Sequence, residues 1–313
     1  MPQTRIVSRD VSWILIVLVT MWTGSTFINC KTGSADKSSE PESTATAPQQ
    51  DDPEPEEESS PALPDIPDED LVLWVRPESL VTERGAVVGW DDVGPHGNHL
   101  EAPGVSPRPA HVENGAGEMP AARFDGEDDM LLRDGFSPEQ IPAATVFLVA
   151  TPAANSGEGD GFLSAGQRGD DDYWSGFAVG MGRKTDPDCT AKFPDALHAL
   201  NTLNAQSRKR DSECGDDLLK ADRPFGEPVL ISLRLGDRDT MLRFDGAPQN
   251  KAAGGGETLH IPQFRLGVRY HHQKCQGFYQ GEISEILVYQ SALPDSQIEK
   301  IEAYLMERYG LGG

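Results

Sequence analysis

Basic residues are scarce in this chain. Twenty-seven Lys and Arg stand against 51 Asp and Glu, giving a net charge of −24 over 313 residues. Affinity for nucleic acid comes largely from Lys and Arg neutralising phosphates, so no nucleic-acid partner is expected. An anionic membrane surface is excluded on the same ground. Cysteine is scarce as well: there are four, with no Cys-x-x-Cys pair, which argues against a zinc ribbon. No Gly-x-Ser-x-Gly elbow and no His-Glu-x-x-His string occurs, so two common hydrolase signatures are missing. What the acidic balance does suit is a neutral ligand or a divalent cation.

The acidity is concentrated. Residues 31–70 hold thirteen Asp and Glu against Lys31 and Lys37, among Ser, Thr, Pro, Ala and Gln. With so little to bury, such a stretch cannot offset its ordering entropy and is expected to be a disordered linker. Ahead of it, Arg5 and Arg9 precede an apolar run over 11–22 and then Gly24, Ser25 and Thr26. Basic, apolar and small regions in that order read as an export signal or anchor over residues 1–30. The run is short for a membrane span. Cys30, just after it, sits where an exported lipoprotein carries its acylated cysteine, and is the candidate lipid attachment. Three fates stay open: lipoprotein, uncleaved anchor and secretion. All place residues 71–313 outside the cytoplasm, with membrane contact only through the N-terminal anchor. Export permits a disulfide, and Cys189 and Cys214, bracketing a polar insertion, are the expected pair. Cys275 is then left without an obvious partner.

From residue 71 the texture is that of a folded domain. Short runs rich in Val, Ile, Phe and Leu recur at 71–75, 86–90, 144–150, 176–180, 228–235, 240–244, 264–268 and 278–289, bounded by Gly, Pro, Asp and Asn. Asp-Gly pairs at 125–126, 134–135, 160–161 and 245–246 predict tight hairpin turns, since Asp and Gly tolerate positive φ. Many strands with no interleaved helices predict an all-β, two-sheet antiparallel sandwich. One helix is expected at the end. Ile298, Ile301, Leu305 and Tyr309 share a face, Pro294 and Asp295 suit the first turn, and Gly310 suits the cap. Its apolar stripe should pack on the sandwich.

The order of motifs carries a resemblance. Leu71-Val72-Leu73-Trp74-Val75 leads to Val88-Gly89-Trp90-Asp91-Asp92 and Gly97-Asn98-His99, then to Ala122-Arg123-Phe124-Asp125-Gly126 and Asp128-Asp129-Met130-Leu131. The end reads Tyr279-Gln280-Gly281-Glu282-Ile283-Ser284-Glu285-Ile286-Leu287-Val288-Tyr289 before the closing helix. Together these resemble the laminin-G-like jelly rolls of the concanavalin A-like lectin/glucanase superfamily, in the form common on exported bacterial proteins. The resemblance covers both ends of 71–313 and fades between about 155 and 225. It implies two curved antiparallel sheets and binding of glycans or proteins, often with calcium. Fold alone does not decide between lectin and hydrolase.

The residues bear on that choice. Laminarin-type glucanases of the superfamily place two carboxylates on one strand as Glu-x-Asp-x-x-Glu or Glu-x-Asp-x-Glu. Here the nearest string is Glu282-Ile283-Ser284-Glu285-Ile286, with Ser and Ile where acids are required. Residues three apart on a regular strand also face opposite ways, whereas retaining chemistry needs carboxyls about 5 Å apart. A non-catalytic module is expected, most simply a carbohydrate-binding one, the alternatives being a protein-contact module of the cell envelope and a hydrolase with another carboxylate pair. Asp125, Asp128 and Asp129, around an Asp-Gly turn, are the candidate calcium ligands. Asp91, Asp92 and Asn98 form a second oxygen-rich loop. Trp74 and Trp90 lie in strand-like runs and should be buried. Trp174, with Tyr173 beside it in a polar loop, is the candidate for stacking on a sugar face.

Overall fold

The computed structural model describes residues 66–156, 159–181, 197–201, 225–255, 257–271 and 273–312. Cys30, Cys189, Cys214, the expected signal segment and most of the expected linker lie outside the described residues. Residues 66–70 lead in, with Ile66 packed against a core cluster.

The strands follow in chain order: β1 (Leu71–Val75), β2 (Leu80–Glu83), β3 (Ala86–Trp90), β4 (Leu100–Glu101), β5 (Ala110–Val112), β6 (Ala121–Asp125), β7 (Leu131–Asp134) and β8 (Gln140–Ile141). Next come β9 (Ala144–Ala154), β10 (Gly161–Gly166), a single helical turn α1 (Asp172–Ser175), β11 (Phe177–Met181) and β12 (Leu197–Asn201). The remainder is β13 (Val229–Leu235), β14 (Asp239–Phe244), β15 (Ala247–Ala253), β16 (Leu259–His260), β17 (Gln263–Leu266), β18 (Arg269–His271), β19 (Lys274–Gln276), β20 (Gln280–Tyr289) and the closing helix α2 (Asp295–Tyr309). The expected all-β architecture with one C-terminal helix is therefore what folds.

The main ladder is continuous and antiparallel: β12-β11-β10-β17-β7-β4-β3-β5-β6-β20-β9-β13-β14-β15, with β1 on β20 and β2 on β3. Around β5 it doubles back, so its two halves face each other. Leu163, Phe177 and Phe264 of one half share a core with Val146, Ile231 and Ile286 of the other. We call these halves the β10–β17–β7 sheet and the β20–β9–β13 sheet. The second is apolar on both faces. Phe147, Val149, Leu230 and Leu287 point away from the shared core and are covered by Ile298, Ile301, Leu305 and Tyr309 of α2. This is why segments 144–150 and 286–289 read as near-continuous apolar runs rather than alternating ones.

α2 begins after Pro294 and stops at Gly310, which takes φ +63° and donates its N–H to Glu307 and Met306 carbonyls. Left-handed backbone at that position is the helix stop expected of Gly. Its seat is fixed by polar links. Glu285, buried on β20, accepts from Trp74 Nε1 (2.8 Å) and Tyr309 Oη (2.7 Å), and Arg308 Nε lies 3.0 Å from it. Arg243 on β14 clamps Glu302 of α2 through Nε (2.8 Å) and Nη2 (2.8 Å).

The Asp-Gly pairs divide. Asp245 and Gly246 both take positive φ and form the β14–β15 hairpin turn, as expected. Gly126 and Gly135 also take positive φ after strands β6 and β7, but their Asp residues do not. Asp160-Gly161 is not a turn. Asp160 is buried and binds the Ser156 backbone, and Gly161 opens β10. Between 155 and 225, where the motif resemblance fades, the chain supplies β10, β11 and β12 to the sheet, and the turn α1, rather than only a polar insertion.

Candidate functional site

The outer face of the β10–β17–β7 sheet is built on strand alternation. In β17, Phe264 and Leu266 enter the shared core, so Gln263 and Arg265 point outward. Register carries this across the sheet. One row runs Gly89, Glu101, Leu132, Arg265, Ser164 and Ala178 over β3, β4, β7, β17, β10 and β11. The next contains Asp134, Gln263 and Gly166. Polar side chains thus occupy the middle strands of a sheet, where its partner sheet carries Phe, Val and Leu.

Asp134 is the hub of the second row. It accepts from Gln263 Nε2 and from Arg168 Nη2, both at 2.8 Å. Arg168 lies on the loop between β10 and α1, so this ion pair ties the α1 region to β7. A cleft of about 190 Å³ lies over β4 and β7, lined by His99, Glu101, Ala102, Pro103, Leu132, Arg133 and Asp134.

Over β10 and β11 the same face is roofed by α1 and the β18–β19 hairpin. Asp172, fully buried at the first position of α1, accepts from Arg269 Nε (2.5 Å), Arg269 Nη2 (2.7 Å) and the Tyr270 N–H (3.1 Å). A bidentate guanidinium–carboxylate pair with a third donor is strong enough in geometry to hold a four-residue helix on a sheet. Glycine makes the close approach: a Cβ on Gly161 would fall 2.5 Å from Arg269 Cγ, and one on Gly166 would fall 3.2 Å from Asp172 Cα. Trp174, 42% exposed, projects from this short helix. It sits on a helical turn rather than in the polar loop expected for it, and Tyr173 precedes it there.

Asp125, Asp128 and Asp129 are brought together. Their carboxylate oxygens lie within 4.8 Å of one another at the β6–β7 turn. Asp125 Oδ1 accepts from the Glu127 N–H (2.8 Å), and Asp129 Oδ2 from the Asp125 N–H (3.0 Å). Burial, then the neighbouring Asp125 charge, pushes the Asp129 carboxyl up to about 7. Three hard carboxylates gathered on one turn could hold a divalent cation. The turn packs beside a small satellite core of Met130, Val268, Tyr270 and Cys275. Cys275 is half of a disulfide. That corrects the expectation that it has no partner; the other half is not among the described residues.

The remaining candidates are structural. Asp92 accepts the N–H groups of Trp74, Gly94 and Asn98, while the Asn98 amide binds Val72 and Ser137. That oxygen-rich loop is a clasp. Trp74 and Trp90 are buried, as expected. Glu282 pairs with Arg123 Nη2 at 2.6 Å, whereas Glu285 is sealed beneath α2. The two acids of that string serve different neighbours, but a bulge between Ile283 and Glu285 turns both to the outer face of β20, not to opposite faces as a regular strand would. Arg265, Gln263 and Asp134 escaped the sequence reading, although Gln-Phe-Arg-Leu alternates plainly within a run taken as apolar.

No protein-family model matches the chain, and no curated protein matches it. Solved structures do. A mutant of HCR/D superposes with a TM-score of 0.50 at 8% identity, covering 76% of this chain and 52% of that one. What is shared is the fold. A Trypanosoma rangeli sialidase in complex with sialic acid gives 0.49 at 13% identity, covering 76% of this chain and 33% of the sialidase. The ligand binding domain of Botulinum neurotoxin serotype D, in complex with N-acetylneuraminic acid, gives 0.48 at 8%, covering 76% and 52%. This chain therefore spans about a third of the sialidase and half of the toxin domain.

Proposed function

We propose that residues 71–313 form a non-catalytic carbohydrate-binding module of the laminin-G-like kind, displayed outside the cytoplasm by the N-terminal segment. The observation that carries this is the outer face of the β10–β17–β7 sheet, which combines a small polar cleft with an exposed tryptophan on a rigidly seated turn. Sugars are recognised by this mixture: hydroxyls bind carboxylate and amide groups, and an aromatic ring covers the apolar face of the pyranose. Glu101, Arg133 and Asp134 supply the polar groups, and Trp174 supplies the platform. Asp125, Asp128 and Asp129 would hold calcium, whose charge would relieve their repulsion and fix the β6–β7 turn. Glu282 and Glu285 share a face of β20 but are engaged with Arg123 and with the helix seat, which supports a structural role for both.

A glycan array probed with the whole chain, with and without a chelator, tests the reading. Binding to a defined sugar class that falls about tenfold in Trp174→Ala, with the fold intact by circular dichroism, is expected. Weakening by the chelator is expected to disappear in an Asp125→Asn/Asp128→Asn variant. No binding to any glycan, or sugar release from the array, would overturn it.

A further inference from the structure

Arg265 is the anomaly of the open face. It lies on β17 between β7 and β10 and is fully buried. Its Nη2 donates to the neutral amide oxygen of Gln263, and the Tyr270 ring covers one face with its centroid 4.4 Å from the guanidinium carbon. Among the described residues, Nε and Nη1 have no acceptor. The nearby carboxylates are committed elsewhere, Asp172 to Arg269 and Asp134 to Arg168 and Gln263. Burial lowers the Arg265 guanidinium to about 10, against the pull of Asp172.

A buried cation without a hydrogen-bonded anion is costly, and proteins normally pair it or give it a ligand. Of the five charged groups gathered here, Arg168, Arg265 and Arg269 outnumber Asp134 and Asp172 by one. That local excess of positive charge stands within a chain of net charge −24. It is also one strand away from an opening, because Leu132, the register partner of Arg265, lines the cleft over β4 and β7.

We infer that Arg265 is an anion subsite of the glycan face and takes the carboxylate of an acidic sugar, with the rest of the sugar lying in the adjoining cleft. The two unpartnered nitrogens, Nε and Nη1, supply the donors, and the ligand supplies the missing negative charge. This rests on the carbohydrate reading above and narrows it from sugars in general to acidic ones.

Calorimetric titration of the whole chain with a glucuronate-containing tetrasaccharide and with its carboxyl-reduced counterpart tests it. The wild type should bind the acidic form about tenfold tighter, the worth of one charge-assisted contact. Arg265→Met should erase that preference while still binding the reduced form. Equal affinity of the wild type for both sugars overturns the inference alone and leaves the carbohydrate reading standing, whether or not the variant folds. Retention of the preference in a folded Arg265→Met also overturns it. Failure of both sugars to bind the wild type overturns the inference together with the carbohydrate reading.

Discussion

The two sheets of this sandwich share one core and differ on their outer faces. The β20–β9–β13 sheet turns Phe147, Val149, Leu230 and Leu287 outward and is closed by a fifteen-residue helix. The β10–β17–β7 sheet turns Glu101, Gln263, Arg265 and Ser164 outward and is only partly roofed, by one helical turn and a hairpin. The difference separates two tasks. Apolar area supplies stability where it is sealed, and polar groups tolerated on the facing sheet have a use other than stability, since each costs free energy unless it is paired. Charged groups occur on both sides, but their settings differ. Under α2 they are buried staples; on the other sheet Asp172, Arg265 and Arg269 are buried too, while Glu101, Arg133 and Asp134 line a cleft.

Substitutions should expose this contrast, and the largest effect belongs to the sealed side. Glu302→Ala leaves Arg243 buried without its partner and should cost about 4 kcal/mol in urea unfolding. A loss under about 1 kcal/mol would show that the helix seat is not held by that pair. Glu285→Ala removes the acceptor of Trp74 and Tyr309 and should cost about 3 kcal/mol, with the Trp74 fluorescence changed in the folded state. An unaltered midpoint would dissolve the distinction between the faces.

A smaller effect comes from pH. The Asp129 carboxyl titrates near 7 in the folded chain and near 3.8 ordinarily. Folding thus favours its protonated form. Its stabilising contribution, about 4 kcal/mol for a fully desolvated group and roughly half that after solvent screening, is complete below the ordinary carboxylate range and is lost as pH rises through about 7. Metal-free protein should therefore melt lower at pH 8 than at pH 6, and Asp129→Asn should flatten that slope. Added calcium should raise the pH 8 value of the wild type. The smallest stability change is expected on the open face. Asp134→Ala breaks a solvent-facing link to Arg168 and takes one acceptor from the Gln263 amide, and should cost about 1–2 kcal/mol, while weakening sugar binding. A large loss of stability there would make the open face structural too.

How much of this could be read from residues alone follows the same division. The sealed side was legible. Its strands carry apolar runs at 144–150 and 286–289, and the spacing of Ile298, Ile301, Leu305 and Tyr309, with Gly310 after them, located α2 correctly. The acidic turn was legible as well, because Asp125, Asp128 and Asp129 are close in sequence and needed only a local bend to meet. The open face was not. Asp172 meets Arg269 across 97 residues, and Asp134 meets Gln263 across 129; only the strand order brings them together. Arg265 hid inside a run read for its apolar members, although the residues between them mark the other face. The Asp-Gly rule worked where both residues could adopt positive φ in a two-strand hairpin, and failed at Asp160-Gly161, where a buried aspartate and a close neighbour explain the same dipeptide.

One consequence concerns orientation. Ile66, the first described residue, lies against the helical layer, and β1 follows directly along the edge of β20. Whatever precedes the domain is thus fastened to the back of the sandwich, opposite the cleft and Trp174. If that leading stretch moors the chain to a surface, the domain is hung like a shield by its strap, with its receptive side turned away from the mooring and toward the surrounding medium.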